Sequence, residues 1–271
     1  MSVRTSVLET SHAKIAVRES GGKGTPILFV HGNSSSGAVF RNQFESEIGT
    51  TYRMISFDLP GHGDSSDAVD PDRSYSMEGY ADCMVEALGL LGIEHAVVFG
   101  WSLGGHIGLE MIKRYPGMLG LMITGTPPVA PEEVSLGFRT SPHMGLAGKQ
   151  DFTEEDVGHY AHATCGEPFE PFLLDTVRRT DGRARRLMFE KFSAGTGDNQ
   201  REIVAGPTPP IAVVNGIDEP FVEVDFVANV RFGNLWQGKT HTIANSGHAP
   251  FWDKPAEFDE YLLRFIRDVA A

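Results

Sequence analysis

The chain has 271 residues and a formal net charge of -13, from 36 acidic and 23 basic side chains. A chain with this much negative charge repels nucleic acids and anionic membranes. We therefore expect neither as a partner, and we expect a small-molecule substrate. Hydrophobic residues make up 41% and charged residues 22% of the sequence, as in a globular protein with one large domain. The N-terminal residues lack the apolar run of a signal peptide, and no stretch is long enough to span a bilayer, so the sequence predicts a cytoplasmic protein.

The first half of the chain alternates runs typical of buried strands with segments of helical spacing. A weak hairpin over residues 2–19 precedes the apolar run 26–30, which is typical of a strand buried on both faces. The same alternation continues as a helix over 39–47, a strand over 52–57, a helix over 77–91, a strand over 96–99, a helix over 103–115 and a strand over 119–124. It predicts an α/β fold with a mostly parallel, doubly wound sheet flanked by helices.

The pattern changes between residues 128 and 206. Strand-like runs are scarce there, and helical spacing recurs near 132–138, 153–164, 168–180 and 183–193. Beyond this stretch the alternation resumes with strands over 210–215 and 239–243 and an amphipathic helix over 256–269. An insertion at the carboxyl end of a strand lies over the edge where open α/β sheets bind ligands. We therefore predict a core domain of residues 1–127 and 207–271 and a helical cap of residues 128–206.

The segment Gly100-Trp101-Ser102-Leu103-Gly104 separates a predicted strand from a predicted helix. When strand and helix converge at so tight a turn, only residues without bulk fit two positions before and after the serine. The amides at the start of the helix also favour negative charge beside the serine hydroxyl. The pattern G-x-S-x-G arises by chance as well, but a strand before it and a helix after it favour a nucleophile elbow with Ser102 at its tip.

A serine hydroxyl is a weak nucleophile and needs a histidine base that a carboxylate orients. Of the ten histidines, only His248 lies between the last predicted strand and the last helix, from where it can reach Ser102. Asp218 and Glu219 both follow the strand over 210–215, and the chain order serine, acid, histidine suits either. These positions predict Ser102 and His248 and leave the acid open.

Four ordered motifs resemble signatures of the α/β-hydrolase family. They are His31-Gly32, the segment 58–65, the segment 100–105 and Gly247-His248. The resemblance covers essentially the whole chain outside the predicted cap, and it implies the α/β-hydrolase fold and acyl transfer through an acyl-enzyme. It also implies Glu219 as the acid, because the family commonly places the acid three residues after the glycine that follows its strand. The family usually has aspartate there, so Glu219 departs from the pattern by one methylene.

An oxyanion hole requires two backbone N–H donors aimed at the oxygen of the tetrahedral intermediate. Leu103, the residue after the nucleophile, supplies one donor, and the resemblance implies that Asn33 supplies the other. The Asn33 side chain either binds a substrate carbonyl or only shapes its turn. Two aromatic residues are further candidates for substrate contact: Tyr160, on a predicted cap helix, and Trp101, beside the nucleophile. Trp101 is also a candidate for supporting the pocket wall.

His159 and His162, three residues apart in the predicted cap, raise the question of a metal site. No further cluster of histidine and acidic residues in the sequence completes such a site, and a serine triad needs none, so we predict neither a metal nor a cofactor. Cys83 and Cys165 lie far apart without metal-like spacing. We expect them to be buried or incidental thiols rather than a disulfide.

A finer resemblance points to the substrate. The segments 31–36, 100–104, 216–219 and 246–250 are similar to those of N-acyl-homoserine lactonases of the α/β-hydrolase type. The resemblance implies opening of the homoserine lactone ring, an activity that quenches bacterial quorum sensing. Three alternatives stay open on the same scaffold: a broad carboxylesterase, a C–C bond hydrolase and a non-enzymatic small-molecule receptor.

Overall fold

The computed structural model describes residues 3–271, so the first residue of the predicted hairpin lies outside the described residues. Within them, eight strands form a single sheet with the order β1-β2-β4-β3-β5-β6-β7-β8. The strands are β1 (Arg4–Glu9), β2 (Lys14–Glu19), β3 (Gly24–Val30), β4 (Tyr52–Phe57), β5 (Ala96–Trp101), β6 (Met118–Thr124), β7 (Ile211–Gly216) and β8 (His241–Ile243). The non-sequential order shows that the helices between strands serve as crossovers.

Strand β1 pairs antiparallel with β2, and β2 pairs antiparallel with β4, while the pairs from β4 through β3, β5, β6 and β7 to β8 are parallel. In the centre of the sheet, Leu28 of β3 is aligned with Ile55 of β4 and with Val98 of β5. The predicted hairpin and the predicted mostly parallel sheet are therefore confirmed.

Thirteen α-helical segments accompany the strands within residues 3–271. They are α1 (Arg41–Glu45), α2 (Glu47–Thr51), α3 (Pro71–Ser74), α4 (Met77–Leu90), α5 (Leu103–Arg114), α6 (Val134–Gly137), α7 (Glu154–Cys165), α8 (Pro171–Arg179), α9 (Gly182–Ser193), α10 (Gln200–Ala205), α11 (Val224–Ala228), α12 (Pro250–Asp253) and α13 (Pro255–Val269). Short 3-10 turns cover Gly37–Phe40, Pro131–Glu133, Met144–Leu146 and Trp236–Gly238.

Hydroxyl side chains determine where two of the longer helices begin. Ser76 precedes α4, and its hydroxyl accepts a hydrogen bond from the Gly79 backbone N–H at 3.0 Å. Thr153 precedes α7 and forms a capping box with Asp156, in which each side chain accepts from the other residue's backbone N–H. These caps satisfy N–H groups that have no partner inside the helix.

The sheet separates two hydrophobic cores, because successive side chains of a strand point to opposite faces. Leu28 and Val30 of β3 belong to one core, which also takes in apolar side chains of α4 and α5. Ile27 and Phe29 belong to the other core, which takes in apolar side chains of α2 and α13. Helices therefore flank the sheet on both faces, as the sequence predicted.

The chain between β6 and β7, residues 125–210, contains α6 to α10 and no strand of the sheet among the described residues. We refer to residues 128–210, which follow the loop after β6, as the intervening segment. Its helices agree with the four helical stretches that the spacing predicted, and α10 is an additional one. The exact division into a core of residues 1–127 and 207–271 and a cap of residues 128–206 stays a prediction.

Two further expectations concern membranes and cysteines. Within residues 3–271, no helix combines the length and the apolar character needed to cross a membrane. Cys83 and Cys165 are both buried free thiols, and burial raises the pKa of each to about 12.

Candidate active site

Ser102 lies at the tip of the turn between β5 and α5. Its backbone angles are φ 55° and ψ -119°, a strained conformation for a residue with a side chain. A Cβ atom at Gly100 would overlap the backbone of Gly104 and Gly105, and one at Gly104 would overlap the carbonyl of Val30. The two glycines of G-x-S-x-G are therefore required by close backbone packing, and the turn has the geometry of a nucleophile elbow.

His248 lies in the loop after β8 and is buried, and its ring contacts the carboxylate of Glu219, which follows β7. Both Oε1 and Oε2 of Glu219 lie 2.8 Å from His248 Nδ1. Glu219 Oε1 also accepts a hydrogen bond from the Phe221 backbone N–H at 2.9 Å. Since a carboxylate only accepts, this contact selects the neutral tautomer in which Nδ1 carries the proton and Nε2 the lone pair, which is the tautomer that a general base requires.

Asp218, the other candidate acid, is exposed to solvent. Its backbone N–H donates to the carbonyl of Ser246 at 2.9 Å, a bond that joins the loop after β7 to the loop that carries His248. The structure therefore pairs the imidazole with Glu219, whose side chain is fully buried, and directs the Asp218 side chain away from it.

The loop around His248 is held by several bonds. The Asp253 carboxylate accepts from the Ser246 hydroxyl at 2.7 Å and from the Gly247 backbone N–H at 3.0 Å. The Trp101 indole N–H donates to the His248 carbonyl at 2.8 Å. These bonds join the loop that carries His248 to α12 and to β5.

Ser102 and His248 line the same cavity. Within residues 3–271, the side-chain hydrogen bonds of His248 go to Glu219, and none joins its ring to the Ser102 hydroxyl. Bonds between a nucleophile and its base are often long in the absence of substrate and shorten when it binds. Ser102 and His248 thus line one cavity at the carboxyl edge of the sheet, and Glu219 holds the histidine ring.

The two predicted oxyanion donors have backbone N–H groups available. Leu103 is the first residue of α5, so its N–H has no partner inside the helix. In the described part of the chain, the backbone N–H of Asn33 forms no backbone hydrogen bond in its loop. The Asn33 amide side chain donates to the carbonyl of Ala147 at 2.9 Å, and its Oδ1 accepts from the Ser34 hydroxyl at 3.2 Å.

The cavity has a volume of about 350 Å³ and a mostly apolar lining. The intervening segment contributes the larger set of lining residues, and the core contributes Asn33, Met77, Ser102, Leu103, His106, Gly125, Phe221 and His248. The larger set includes Val134, Phe138, Met144, Ala147, Tyr160, Met188, Phe189 and Phe192. A cavity of this size and polarity suits a small amphiphilic molecule.

Of the two aromatic candidates, Tyr160 lines the cavity and Trp101 does not. Burial raises the pKa of Tyr160, so its hydroxyl stays protonated and is able to donate a hydrogen bond. Trp101 is buried behind the lining, where its ring packs on His248 at a centroid distance of 5.6 Å and on Phe251 at 5.1 Å. A contact of Trp101 with substrate stays a prediction, and its observed contacts support the His248 ring.

Gly125 is a site residue that the sequence analysis missed. It follows β6 with φ +62°, and a Cβ atom there would lie 2.6 Å from Cε1 and 2.7 Å from Nδ1 of the His248 ring. Its N–H donates to the Asn215 side chain at 2.8 Å. The imidazole ring of His248 therefore packs directly against the backbone of Gly125. The glycine at the end of a predicted strand was visible in the sequence, but nothing local indicated that a ring packs on it.

Arg185 was also missed, since nothing in its local sequence separates it from the surface arginines of the same helix. It is 4% exposed, and its guanidinium donates to the carbonyls of Lys149 and Gln150 at 3.0 Å each and to the Ser34 hydroxyl at 3.3 Å. Ser34 in turn donates to Asn33. Arg185 thus connects the intervening segment to the loop that carries a predicted oxyanion donor.

The candidate metal ligands lie on the outside of α7. His159 and His162 are exposed, and the His162 ring stacks on Phe169 at a centroid distance of 3.7 Å. Within residues 3–271, no group of three or more His, Cys, Asp or Glu side chains is arranged to hold a metal ion. The face of α7 that contributes to the cavity carries Tyr160 and Thr164 instead.

The fold and the site share three features with α/β hydrolases. They are a strained serine at a strand-to-helix turn, a buried histidine and carboxylate after the last strands, and a mostly parallel sheet. The model of the alpha/beta hydrolase family matches residues 27–260. The chain belongs to the alpha/beta hydrolase family, and the first resemblance drawn from the sequence motifs is confirmed.

The finer resemblance is confirmed by solved structures of the N-acyl homoserine lactonase AidH. Its E219G mutant complexed with N-hexanoyl homoserine is 68% identical in sequence, with a TM-score of 0.98, over 99% of this chain and 98% of that one. Its S102G mutant complexed with N-hexanoyl homoserine lactone is 68% identical, with a TM-score of 0.97, over 98% of each chain. A curated relative from Pseudomonas sp, a 2-hydroxy-6-oxononadienedioate/2-hydroxy-6-oxononatrienedioate hydrolase, is 23% identical over 269 residues, which cover 94% of this chain and 92% of the relative.

Proposed function

We propose that this protein hydrolyses the lactone ring of N-acyl-homoserine lactones, with Ser102 as nucleophile, His248 as general base and Glu219 as the acid that orients the base. The observation that carries this proposal is the 68% identity with AidH over almost the whole chain. The AidH complexes contain N-hexanoyl homoserine lactone and its ring-opened form, N-hexanoyl homoserine. Ring opening of this kind makes the activity one that quenches quorum sensing.

In the proposed first step, the Ser102 oxygen attacks the lactone carbonyl carbon while Nε2 of His248 takes the hydroxyl proton. The tetrahedral intermediate places its negative oxygen against the backbone N–H groups of Asn33 and Leu103. The first turn of α5 adds the positive end of a helix dipole at the same point. The ring C–O bond then breaks, and the departing oxygen receives the proton from His248.

In the second step, a water molecule replaces the serine at the acyl carbon, with His248 again acting as base. Because the lactone is cyclic, the alcohol released in the first step stays attached to the acyl group. It remains in the cavity and competes with water for the acyl-enzyme. We therefore infer that net turnover depends on how the cavity separates this alcohol from the ester carbonyl.

Glu219 accepts a hydrogen bond from Nδ1 of His248, so it favours the tautomer whose Nε2 lone pair faces the nucleophile and stabilises the imidazolium that forms. A glutamate is one methylene longer than aspartate, and the Phe221 N–H bond to Oε1 restrains the added freedom. The two short distances from Nδ1 to the carboxylate oxygens support this role for Glu219.

The mostly apolar cavity supports an acyl chain as the larger part of the substrate. The polar head of the lactone would lie near Ser102, with the amide and carbonyl groups within the reach of Asn33 and Tyr160, both of which line the cavity. A neutral substrate also suits a chain of net charge -13, since an anionic one would be repelled. The proposed mechanism requires no metal or cofactor.

The second candidate is a carboxylesterase of broad specificity. It is favoured by the same nucleophile, base and oxyanion donors, which act on any ester carbonyl that fits the cavity. A C–C bond hydrolase and a non-enzymatic receptor are further alternatives. The assay for lactone opening distinguishes both from a lactonase.

The test is incubation of the purified protein with N-hexanoyl homoserine lactone and identification of the product by mass. The expected product is heavier by one water with the amide intact, formed at an unchanged rate after EDTA treatment. Ser102→Ala should lower the rate by about 10⁴-fold or more, since the serine acts as part of a unit with its base. Release of free hexanoic acid, or turnover of aryl esters without turnover of the lactone, would overturn the proposal.

A further inference from the structure

One histidine ring lies among aromatic side chains of the cavity lining. His106 is four residues after Ser102 on α5, and its backbone N–H donates to the Ser102 carbonyl at 3.3 Å. Its ring packs against Phe192 at a centroid distance of 5.1 Å and against Phe138 at 6.0 Å. All four residues line the same cavity. None of the proposed catalytic steps uses this histidine.

The protonation of the His106 ring is determined by its neighbour on α10. Nδ1 lies 2.8 Å from Oε1 of Gln200, an oxygen that only accepts, so Nδ1 carries the proton and Nε2 carries a lone pair. Burial lowers the pKa of His106 to about 4, which keeps the ring neutral at neutral pH. Within residues 3–271, Nε2 forms no hydrogen bond. The ring therefore offers the cavity an acceptor that lacks a donor.

The spacing from Ser102 indicates which part of a substrate would meet this acceptor. The hydrogen bond from the His106 N–H to the Ser102 carbonyl closes the first turn of α5, so the backbones of the two residues lie about one helical pitch, roughly 5–6 Å, apart. In an N-acyl-homoserine lactone whose carbonyl carbon is attacked by Ser102, the third carbon of the acyl chain is five bonds away, or roughly 6 Å in an extended chain. A substituent on this carbon is therefore within range of the His106 ring.

We propose that His106 is a specificity-determining residue that accepts a hydrogen bond from a hydroxyl group on the third carbon of the acyl chain. The preferred substrates are then N-(3-hydroxyacyl)-homoserine lactones. This inference rests on the proposed lactonase function. A keto group on the same carbon supplies only an acceptor and faces the Nε2 lone pair without a proton between them, so a 3-oxoacyl chain gains nothing from His106.

The experiment compares kcat/KM for three lactones of equal chain length, N-hexanoyl, N-(3-hydroxyhexanoyl) and N-(3-oxohexanoyl) homoserine lactone. The wild-type protein should prefer the hydroxylated chain over the unsubstituted one by about 5–10-fold, the effect of one hydrogen bond to a buried acceptor. His106→Phe should reduce this ratio to near one. Because the ratio is taken within each variant, a general loss of activity cancels. Met188→Leu, which alters an apolar lining residue, is the matched control and should keep the wild-type ratio.

Binding provides a second measurement that does not depend on turnover. Calorimetry with Ser102→Ala protein should show tighter binding of the hydroxylated lactone, and the double variant Ser102→Ala with His106→Phe should bind both lactones equally. This result supports the inference even if wild-type protein opens no lactone, an outcome that would overturn the proposed function alone.

Two results would overturn the inference about His106. One is an equal ratio in wild type and His106→Phe, which would show that the His106 ring does not distinguish the three acyl chains. The other is a preference of the wild-type protein for the 3-oxo chain. Circular dichroism on each variant establishes that the comparison is made between folded proteins.

Discussion

The loops at the carboxyl edge of the sheet and the intervening segment between β6 and β7 differ in what they contribute to the cavity. The loops supply the groups proposed to carry out the chemistry, and their polar atoms are joined by hydrogen bonds to backbone. The Asp58 carboxylate accepts from the N–H groups of Gly37 and Asp64 at 2.7 and 2.8 Å. The intervening segment supplies mainly apolar side chains. The loops that carry the groups proposed to react are thus held by directional bonds, and the intervening segment contributes mainly an apolar packing surface to the cavity.

His31, of the His31-Gly32 motif, shows how hydrogen bonds hold the loops at the carboxyl edge of the sheet. It is fully buried, its Nδ1 lies 2.8 Å from the Gly32 carbonyl, and its Nε2 accepts from the Leu59 backbone N–H at 3.0 Å. Burial lowers the pKa of His31, consistent with a neutral ring that bonds through both nitrogens. The ring links the loop after β3 to the loop after β4 and so positions Asn33 relative to the sheet.

Because the two regions contribute differently to the cavity, substitutions in them should affect activity to different extents. A change in the loops displaces a reacting group and costs rate, because catalysis depends steeply on geometry. A change in the intervening segment alters the fit of the substrate and costs a smaller factor. The predictions that follow test this contrast.

The largest effect is expected at the acid. Glu219→Gln should lower kcat for lactone hydrolysis by about 10³–10⁴-fold, since an amide in place of the carboxylate no longer orients or stabilises the imidazole. Asp218→Asn is the matched control, because this side chain is exposed, and it should stay within about twofold of wild type. Stopped assays at saturating substrate measure both. If Asp218→Asn proved the more damaging change, the pairing of His248 with Glu219 would not be the catalytic one.

A smaller but still large effect is expected at Gly125. Gly125→Ala would place a methyl group against the His248 ring, and a displacement of about 1 Å should lower kcat by about 10²-fold. The added strain of φ +62° should also lower the melting temperature. Gly145→Ala is the control, because a Cβ atom there meets nothing within 4 Å. Activity equal to wild type in Gly125→Ala would show that the imidazole tolerates displacement.

The contact between α5 and α10, a helix of the intervening segment, should be visible in stability as a function of pH. Because burial lowers the pKa of His106 to about 4, the unfolded chain binds a proton at this site below about pH 6.5, where the folded protein does not. The stability that the neutral ring contributes is complete above pH 6.5 and is lost as the pH falls toward 4, by up to about 3 kcal/mol. Denaturant unfolding of wild type and His106→Phe between pH 4 and 7 measures it. A difference between the two proteins that does not change with pH would contradict the prediction.

The smallest effect is expected within the intervening segment. Tyr160→Phe keeps the ring and removes the hydroxyl, so it should raise KM by about 3–10-fold through the loss of one hydrogen bond, with kcat little changed. Initial rates over a range of lactone concentrations separate the two parameters. If instead kcat fell by about two orders of magnitude while KM stayed unchanged, this hydroxyl would belong to the groups that stabilise the transition state. The contrast between the regions would then fail.

Local pattern was sufficient for most of the fold. The strands and the long helices fall where alternation and helical spacing predicted them, because each of these elements buries a continuous face. The additional elements α3, α10, α11 and α12 are each only four to six residues long. Elements this short depend on what they pack against, so their own sequence carries little signal.

The sequence by itself determined the elbow around Ser102 and the position of His248, because a turn between strand and helix and an order along the chain are local properties. Residue spacing left the acid open between Asp218 and Glu219, and the family resemblance implied Glu219. The contact of the imidazole with Glu219 is a tertiary one, in which Glu219 is buried against the ring and the adjacent Asp218 is exposed. Only the tertiary structure decided that Gly125 supports the ring and that Gln200 orients His106, a pair 94 residues apart. Such pairs form where loops and helices that are distant in sequence pack together. The residue spacing within a single segment therefore cannot predict them.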